Sequence, residues 1–283
     1  MYKLSPPIAD SSETYDNSVA TIRAKGTQSI YVSAAETIKQ RCRTFDLLAS
    51  SQQFDLAREA NFRVPELSDS SMMADLYDKQ FARGLLTKDT RDSIRNAAPN
   101  SICPYCGDGI VAQLDHYLPK SVYAGITVHP SNLVPSCRDC NHAKKAYAPS
   151  LQKSAILHPY FDQVLNMRWL KASLTLNRQN SPIVDFQVSV EPSNIQLEKR
   201  LRAHLEVFEL YKRYSIKAAQ LINDFQAMLT SEYGQNMDLS EARLHLQRHT
   251  SNLYGGRINS WEAATYEAML TSDWYLSEYL GLS

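Results

Sequence analysis

The sequence predicts an α+β protein that is mostly helical, with helical regions at both ends, a β-hairpin, and a small central module pinned by cysteines. Three observations carry this. Long stretches on either side of the centre have helix formers with apolar residues at three- and four-residue steps. Two Cys-x-x-Cys pairs, Cys103/Cys106 and Cys137/Cys140, enclose a segment with scattered turn residues. Two runs of strand character, "MRWLKASLTL" and "IVDFQVSV", are joined by the loop sequence "NRQNSP".

The elements follow in order. Residues 1 to about 28 contain Pro6-Pro7 and many Ser, Thr and Asp, and read as an extended arm. From Ile30 to Asn61 there is no Pro or Gly, and Ile38, Cys42, Phe45 and Leu48 mark one face of an amphipathic helix, or of two. Pro65 closes that stretch. Ser68, Asp69 or Ser70 can cap a helix over "SMMADLYDKQFARGLL", and Thr87 or Asp89 a short one through Ala97. After the centre and the hairpin, Ser193 is a candidate cap for one long helix stopping near Gly234, with Leu197, Leu201, Leu205, Phe208 and Tyr211 facing the core. "DLSEARLHLQRHTSNLYGG" makes another helix, and Ser260 caps the last. The expected division is 1–98 (arm and helical region), 99–160 (central module) and 161–283 (hairpin and helical region).

Composition bounds the function. The chain has 30 basic and 30 acidic residues, so it is not a polyanion binder by bulk charge, and any nucleic-acid surface must be local. Between Ser101 and Tyr160 five Lys or Arg face three Asp or Glu, a mild positive bias. No apolar run approaches the ~18 residues of a membrane span. The N-terminus lacks the apolar core of a secretory signal, so the expected location is the cytoplasm, without membrane.

In that compartment the paired cysteines read as metal ligands rather than disulfides. Four thiolates on two knuckles suit a closed, tetrahedral structural zinc. The fifth cysteine, Cys42, reads as a buried inert thiol on a helix. Between and after the knuckles lie Asp115-His116, Asn132 and Asn141, which fill a core poorly. They suit a carboxylate-and-amide cation site beside an unligated imidazole. Neighbours on a strand point to opposite faces, so joint use of Asp115 and His116 requires a local bend.

The pattern "CPYC…LDHYLPKS…NLVPSCRDCNHAKK" resembles the HNH endonuclease family, the ββα-metal or His-Me finger nucleases, in its four-cysteine zinc branch. The resemblance implies a central zinc-stapled ββα-metal nuclease module over about 45 residues. It implies His116 as general base, Asp115 and Asn141 as holders of a catalytic divalent ion, and Asn132 as the residue that fixes the loop and orients the base. The third named position is Asn141, where the family also uses His. His142 lies one residue away and takes no role. More loosely, "LYDKQFARG", "HPYFD" and "RWL" resemble larger HNH proteins of bacterial antiphage systems, Septu-type and retron-associated.

The chemistry suits these residues. Phosphodiester hydrolysis needs an activated water, which an imidazole with a near-neutral pKa can supply. It also needs charge neutralisation by a hard cation, Mg²⁺ or Mn²⁺, on one carboxylate, one amide oxygen and waters. Lys120, Lys144 and Lys145 stand beside the motif as candidate phosphate contacts. His129 reads as a loop histidine. His158 and Asp162 could approach the site but read as structural polar contacts, while His204, His245 and His249 read as surface or boundary residues of helices. DNA is the family's default substrate. No Gly-x-x-x-x-Gly-Lys loop is present, so a regulatory partner such as an ATPase is expected by the resemblance. The competing reading is a zinc-stapled module that binds nucleic acid or protein without cutting.

Overall fold

The structure is a computed structural model, and it describes residues 1–69, 71–164, 167–233 and 238–282. Ser70, a candidate cap, and Gly234, a candidate helix stop, lie outside the described residues. The chain divides into two compact units, Tyr2–Asp162 and Gln163–Ser283. The fold is α+β and mostly helical, with two small two-stranded antiparallel sheets.

In the first unit the arm is not wholly extended. Helix α1 spans Ser11–Ala20, because Asp10 accepts the backbone N–H of Glu13 at 2.9 Å and Tyr15 and Val19 fall on one buried face. The next stretch is two helices, α2 (Lys25–Ser33) and α3 (Ala35–Ser50). Ile38, Cys42 and Phe45 are buried on α3 as expected, but Ala49 completes the face and Leu48 sits at its edge. Residues 51–62 form 3-10 turns that insert Phe54 and Phe62 into the core. Helix α4 (Ser71–Asp75) runs on as a wider π-type turn, Leu76–Phe81, and α5 spans Lys88–Asn96.

The centre of this unit is a ββα arrangement. Strand β1 (Gln113–His116) pairs with β2 (Leu133–Ser136), placing Asp115 opposite Val134 and His116 opposite Leu133. Helix α6 (Arg138–Lys144) leaves β2 directly, with Cys137 as its N-cap. Helix α5 packs on both strands, so the helical region and the cysteine-bearing segment share one core. Gly125 lets the loop between the strands approach α3, since a Cβ there would stand 2.6 Å from the Arg41 side chain and 2.8 Å from the Phe62 carbonyl.

In the second unit β3 (Leu170–Leu176) and β4 (Pro182–Val188) form the expected hairpin, with Leu174 opposite Val184. The single long helix is in fact two, α7 (Ile195–Val207) and α8 (Leu210–Tyr233), and α7 starts after Asn194 rather than at Ser193. The break falls at Glu209, with φ of 54°, and it buries both Phe208 and Leu210. Residues two apart on a continuous helix face opposite ways, so burying both requires the turn. Helix α9 (Leu239–Gly256) is capped by Asp238, and α10 (Trp261–Thr271) by Ser260, each side chain accepting a first-turn N–H. α10 stops at Thr271 and a π-type turn, Tyr275–Tyr279, follows. His204 is buried against Phe208, contrary to its reading as a surface or boundary residue, because it lies on the same face of α7 as Leu201 and Leu205.

Candidate active site

The four cysteines converge. Cys103, Cys106, Cys137 and Cys140 are buried, and their sulfurs lie within 4.8 Å of one another. A tetrahedral zinc with bonds of about 2.3 Å separates its sulfurs by about 3.8 Å; Cys106 and Cys137 stand 3.9 Å apart. The knuckle geometry supports them, with the Gly109 N–H on Cys106 Sγ at 3.2 Å and the Cys140 N–H on Cys137 Sγ at 3.4 Å. At Gly109 a Cβ would lie 2.8 Å from Cys137 Sγ, so only glycine fits against the cluster. The donor set therefore fits a closed structural zinc site. Cys42 lies apart, buried on α3.

Beside this staple, Asp115, His116 and Asn141 line one cavity of about 500 Å³. Asp115 and His116 are both paired in β1, which ends at His116, and both line the cavity. The His116 Nε2 stands 2.8 Å from the Thr127 carbonyl. A carbonyl only accepts, so Nε2 carries the proton and Nδ1 is left as a lone-pair acceptor. Burial lowers the imidazole to about 3, Lys120 and Lys144 push the same way, and the Thr127 bond opposes them only in part. The near-neutral value expected from sequence is not met, because the ring is almost fully enclosed, with the Tyr77 ring 4.4 Å away edge-on. Near neutral pH the His116 ring is thus held uncharged, with Nδ1 able to accept a proton.

Asn132 is wholly buried and makes three side-chain bonds: it accepts from the Leu118 N–H at 2.8 Å and donates to the Leu118 and Ile126 carbonyls at 3.1 and 3.3 Å. Those residues adjoin His116 on one side and Thr127 on the other, so the amide ties together the two strands of chain that fix the imidazole.

Asp115 is buried and receives the Tyr105 hydroxyl at 3.0 Å. Lys144 corrects the sequence expectation most. It does not face solvent to meet phosphate; its side chain is 1% exposed, and its ammonium lies 3.1 and 3.2 Å from the two Asp115 oxygens and 2.5 Å from the His116 carbonyl. Its place on the inner face of the last turn of α6, under β1, is the cause. Burial raises the Asp115 pKa, and Lys144 and Tyr105 pull against that without cancelling it. Lys120 is half-exposed, held by both Asp78 oxygens at 2.6 Å, and stands 5.0 Å over the Tyr77 ring. Lys145 lines the cavity with its backbone at φ of 49°. His142 is exposed on α6.

Oxygen donors from Asp115 and Asn141, with room for waters, fit a hard divalent cation better than a soft one. The cavity has four cationic residues, Arg91, Arg95, Lys120 and Lys145, against Asp78 and Asp115. Tyr77, Asp78, Arg91 and Arg95 come from the N-terminal helical region and had no role in the sequence reading. The only signal was that "LYDKQFARG" contains the first two.

The other histidines serve structure. His158 packs among Phe54, Tyr117 and Phe161, and Asp162 accepts its backbone N–H at 2.7 Å. His129 is buried in the loop after Thr127 and meets Asp46 Oδ1 at 2.9 Å. Burial lowers that imidazole, but the Cys42 sulfur and the Asp46 carboxylate outweigh it and lift it to about 9. His116 and His129 therefore oppose each other. The lowered His116 contributes stability that is full above about pH 6.5 and drains as pH falls toward 3. The raised His129 contributes stability that is full below about 6.5 and is lost as pH rises toward 9. Denaturant midpoints between pH 5.5 and 9 should peak near pH 6.5. His116→Gln should flatten the acid limb, and Asp46→Asn should reduce the alkaline one, leaving the part that Cys42 supplies. The alkaline limb should be shallower, since Asp46 is half-exposed and screened. A flat wild-type profile would contradict both assignments.

Residues 103–146 match the family model described as HNH endonuclease, and the chain carries an HNH domain with its four-cysteine cluster in place. Two curated proteins are similar to it. Protein ea31 of Escherichia phage lambda is 33% identical over 128 residues, 43% of this chain and 42% of that protein. Septu protein PtuB of Bacillus thuringiensis is 32% identical over 72 residues, 24% of this chain and 27% of that protein. The matches span less than half the length of either relative. No solved structure matches. No described helix is long and apolar enough to cross a membrane.

Proposed function

We propose that this protein is a metal-dependent HNH endonuclease that hydrolyses phosphodiester bonds of DNA, and that it is the nuclease effector of a bacterial antiphage complex in the cytoplasm. The observation that carries the catalytic part is the shared cavity of Asp115, His116 and Asn141, beside a loop fixed by Asn132. His116 takes the proton of the attacking water on Nδ1, while its Nε2–H stays on the Thr127 carbonyl. Asp115 and Asn141 would hold Mg²⁺ or Mn²⁺, which when bound neutralises charge on the phosphate. A phosphate brought alongside His116 favours the imidazolium and so raises its basicity when substrate is present. Lys120 and Lys145 supply positive charge at the mouth; Lys144 acts from beneath by holding Asp115 in place. The defence role and a protein partner are supported by the similarity to the Septu protein; that the partner is an ATPase is part of this proposal only.

The test is plasmid cleavage by purified protein with Mg²⁺ or Mn²⁺, alone and with the product of a neighbouring gene. His116→Ala should lose at least about a hundredfold in rate, the lower range for removing a general base. Equal background from both proteins under every condition would leave the non-cutting, zinc-stapled binding module as the reading.

A further inference from the structure

We propose that Arg95, on α5 and outside the segment that matches the family, is a phosphate-binding residue of this site. The proposal rests on the nuclease reading above and extends it to a residue that neither the motif nor the family match includes.

Among the cavity's cations, the side chains differ in what already holds them. Arg91, one turn earlier on α5, is committed to the fold. One of its terminal nitrogens bonds the Phe81 carbonyl, the Gly84 carbonyl at 2.9 Å and Thr87 Oγ1 at 2.6 Å, and the guanidinium lies 6.0 Å from the Phe81 ring. That ties the π-type turn to the start of α5. Lys120 is held by Asp78. Arg95 is different: its side chain is 42% exposed, and its ion-pair contact is Asp92 on its own helix at 3.5 Å. Asp92 is already engaged by Lys88 at 2.5 Å. Arg95 thus presents a planar fork of donors to a cavity that also holds the candidate base and cation ligands. Packing of α5 on β1 and β2 fixes the helix that carries it, and the Arg91 contacts fix the helix start.

A guanidinium matches phosphate geometry with two parallel hydrogen bonds, whereas an ammonium offers a point charge. A phosphodiester in the cavity has several oxygens, and Arg95 would hold those that the proposed divalent cation does not. Arg95 lines the cavity from α5, which packs on the two strands, while Asn141 lines it from α6.

The test measures binding apart from cutting. In a His116→Ala background of the full chain, fluorescence anisotropy with labelled single- and double-stranded DNA gives Kd over a range of salt. Arg95→Ala should weaken binding about tenfold or more, the scale of a charge-assisted hydrogen bond, and lower the slope of log Kd against log salt by about 0.7–0.9. Arg95→Lys should recover the slope but only part of the affinity. Asp92→Asn frees the guanidinium and should bind at least as tightly as the parent. If Asp92→Asn instead copies Arg95→Ala, the arginine works through a structural ion pair and the proposal falls. Unchanged affinity and slope in Arg95→Ala, with a parent that binds DNA and a wild type that cleaves it, would overturn this inference alone. A parent that binds no DNA would overturn both it and the reading it rests on.

Discussion

Stripping the zinc, or replacing Cys103 with serine, is expected to unfold the centre of the 2–162 unit. The four sulfurs are buried within 4.8 Å of one another, and four thiolates that close repel unless a cation neutralises them. Without metal they must be protonated and repack, which the tight approach at Gly109 resists. Binding of zinc to such sets is worth about 10–16 kcal/mol, which for a small module is folding free energy. The loss should spread, since Tyr105 between the first two cysteines holds Asp115, and α6 begins on Cys137. Elemental analysis should find one zinc per chain. Chelation verified by that analysis should lower the melting temperature sharply and abolish nucleic-acid binding. A zinc-free protein with an unchanged melt would refute the assignment.

The second large effect concerns Lys144. Removing one partner of a buried ion pair leaves a carboxylate in low dielectric, at a cost of about 3–5 kcal/mol. Lys144→Ala should cost that much in denaturant-derived stability, since the Asp115 and Lys144 side chains are 3% and 1% exposed. Replacing both charges, as Asp115→Asn with Lys144→Met, should restore most of the stability while abolishing the proposed DNA cleavage. A surface phosphate contact would behave otherwise: Lys144→Ala would then alter only binding and its salt dependence. A stability change within about 0.5 kcal/mol, the ordinary range for a surface substitution, would show that the pair does not hold the fold.

Much of the site is legible in the chain because its rules are local. Cys-x-x-Cys spacing presents two sulfurs to one ion whatever lies around it, and Asp238 and Ser260 announce helix starts because a cap needs only the next three residues. The Asp10 cap obeys the same rule, and α1 was hidden only by the surrounding Ser, Thr and Pro. The break at Glu209 was not legible, because helical spacing runs on either side of it and only burial of Phe208 with Leu210 requires a turn.

The sequence by itself determined which four cysteines cluster and that helices flank them, and it named the carboxylate, imidazole and amides proposed as the site. The tertiary structure alone decided what surrounds those residues. It put Lys144 beneath Asp115 rather than on the surface, drew the His116 pKa down to about 3 by enclosing the ring, and brought Asp78 and Arg95 from the N-terminal helices into the cavity wall. Burial, desolvation and long-range ion pairs depend on distances between residues far apart in the chain, and no local pattern encodes those distances.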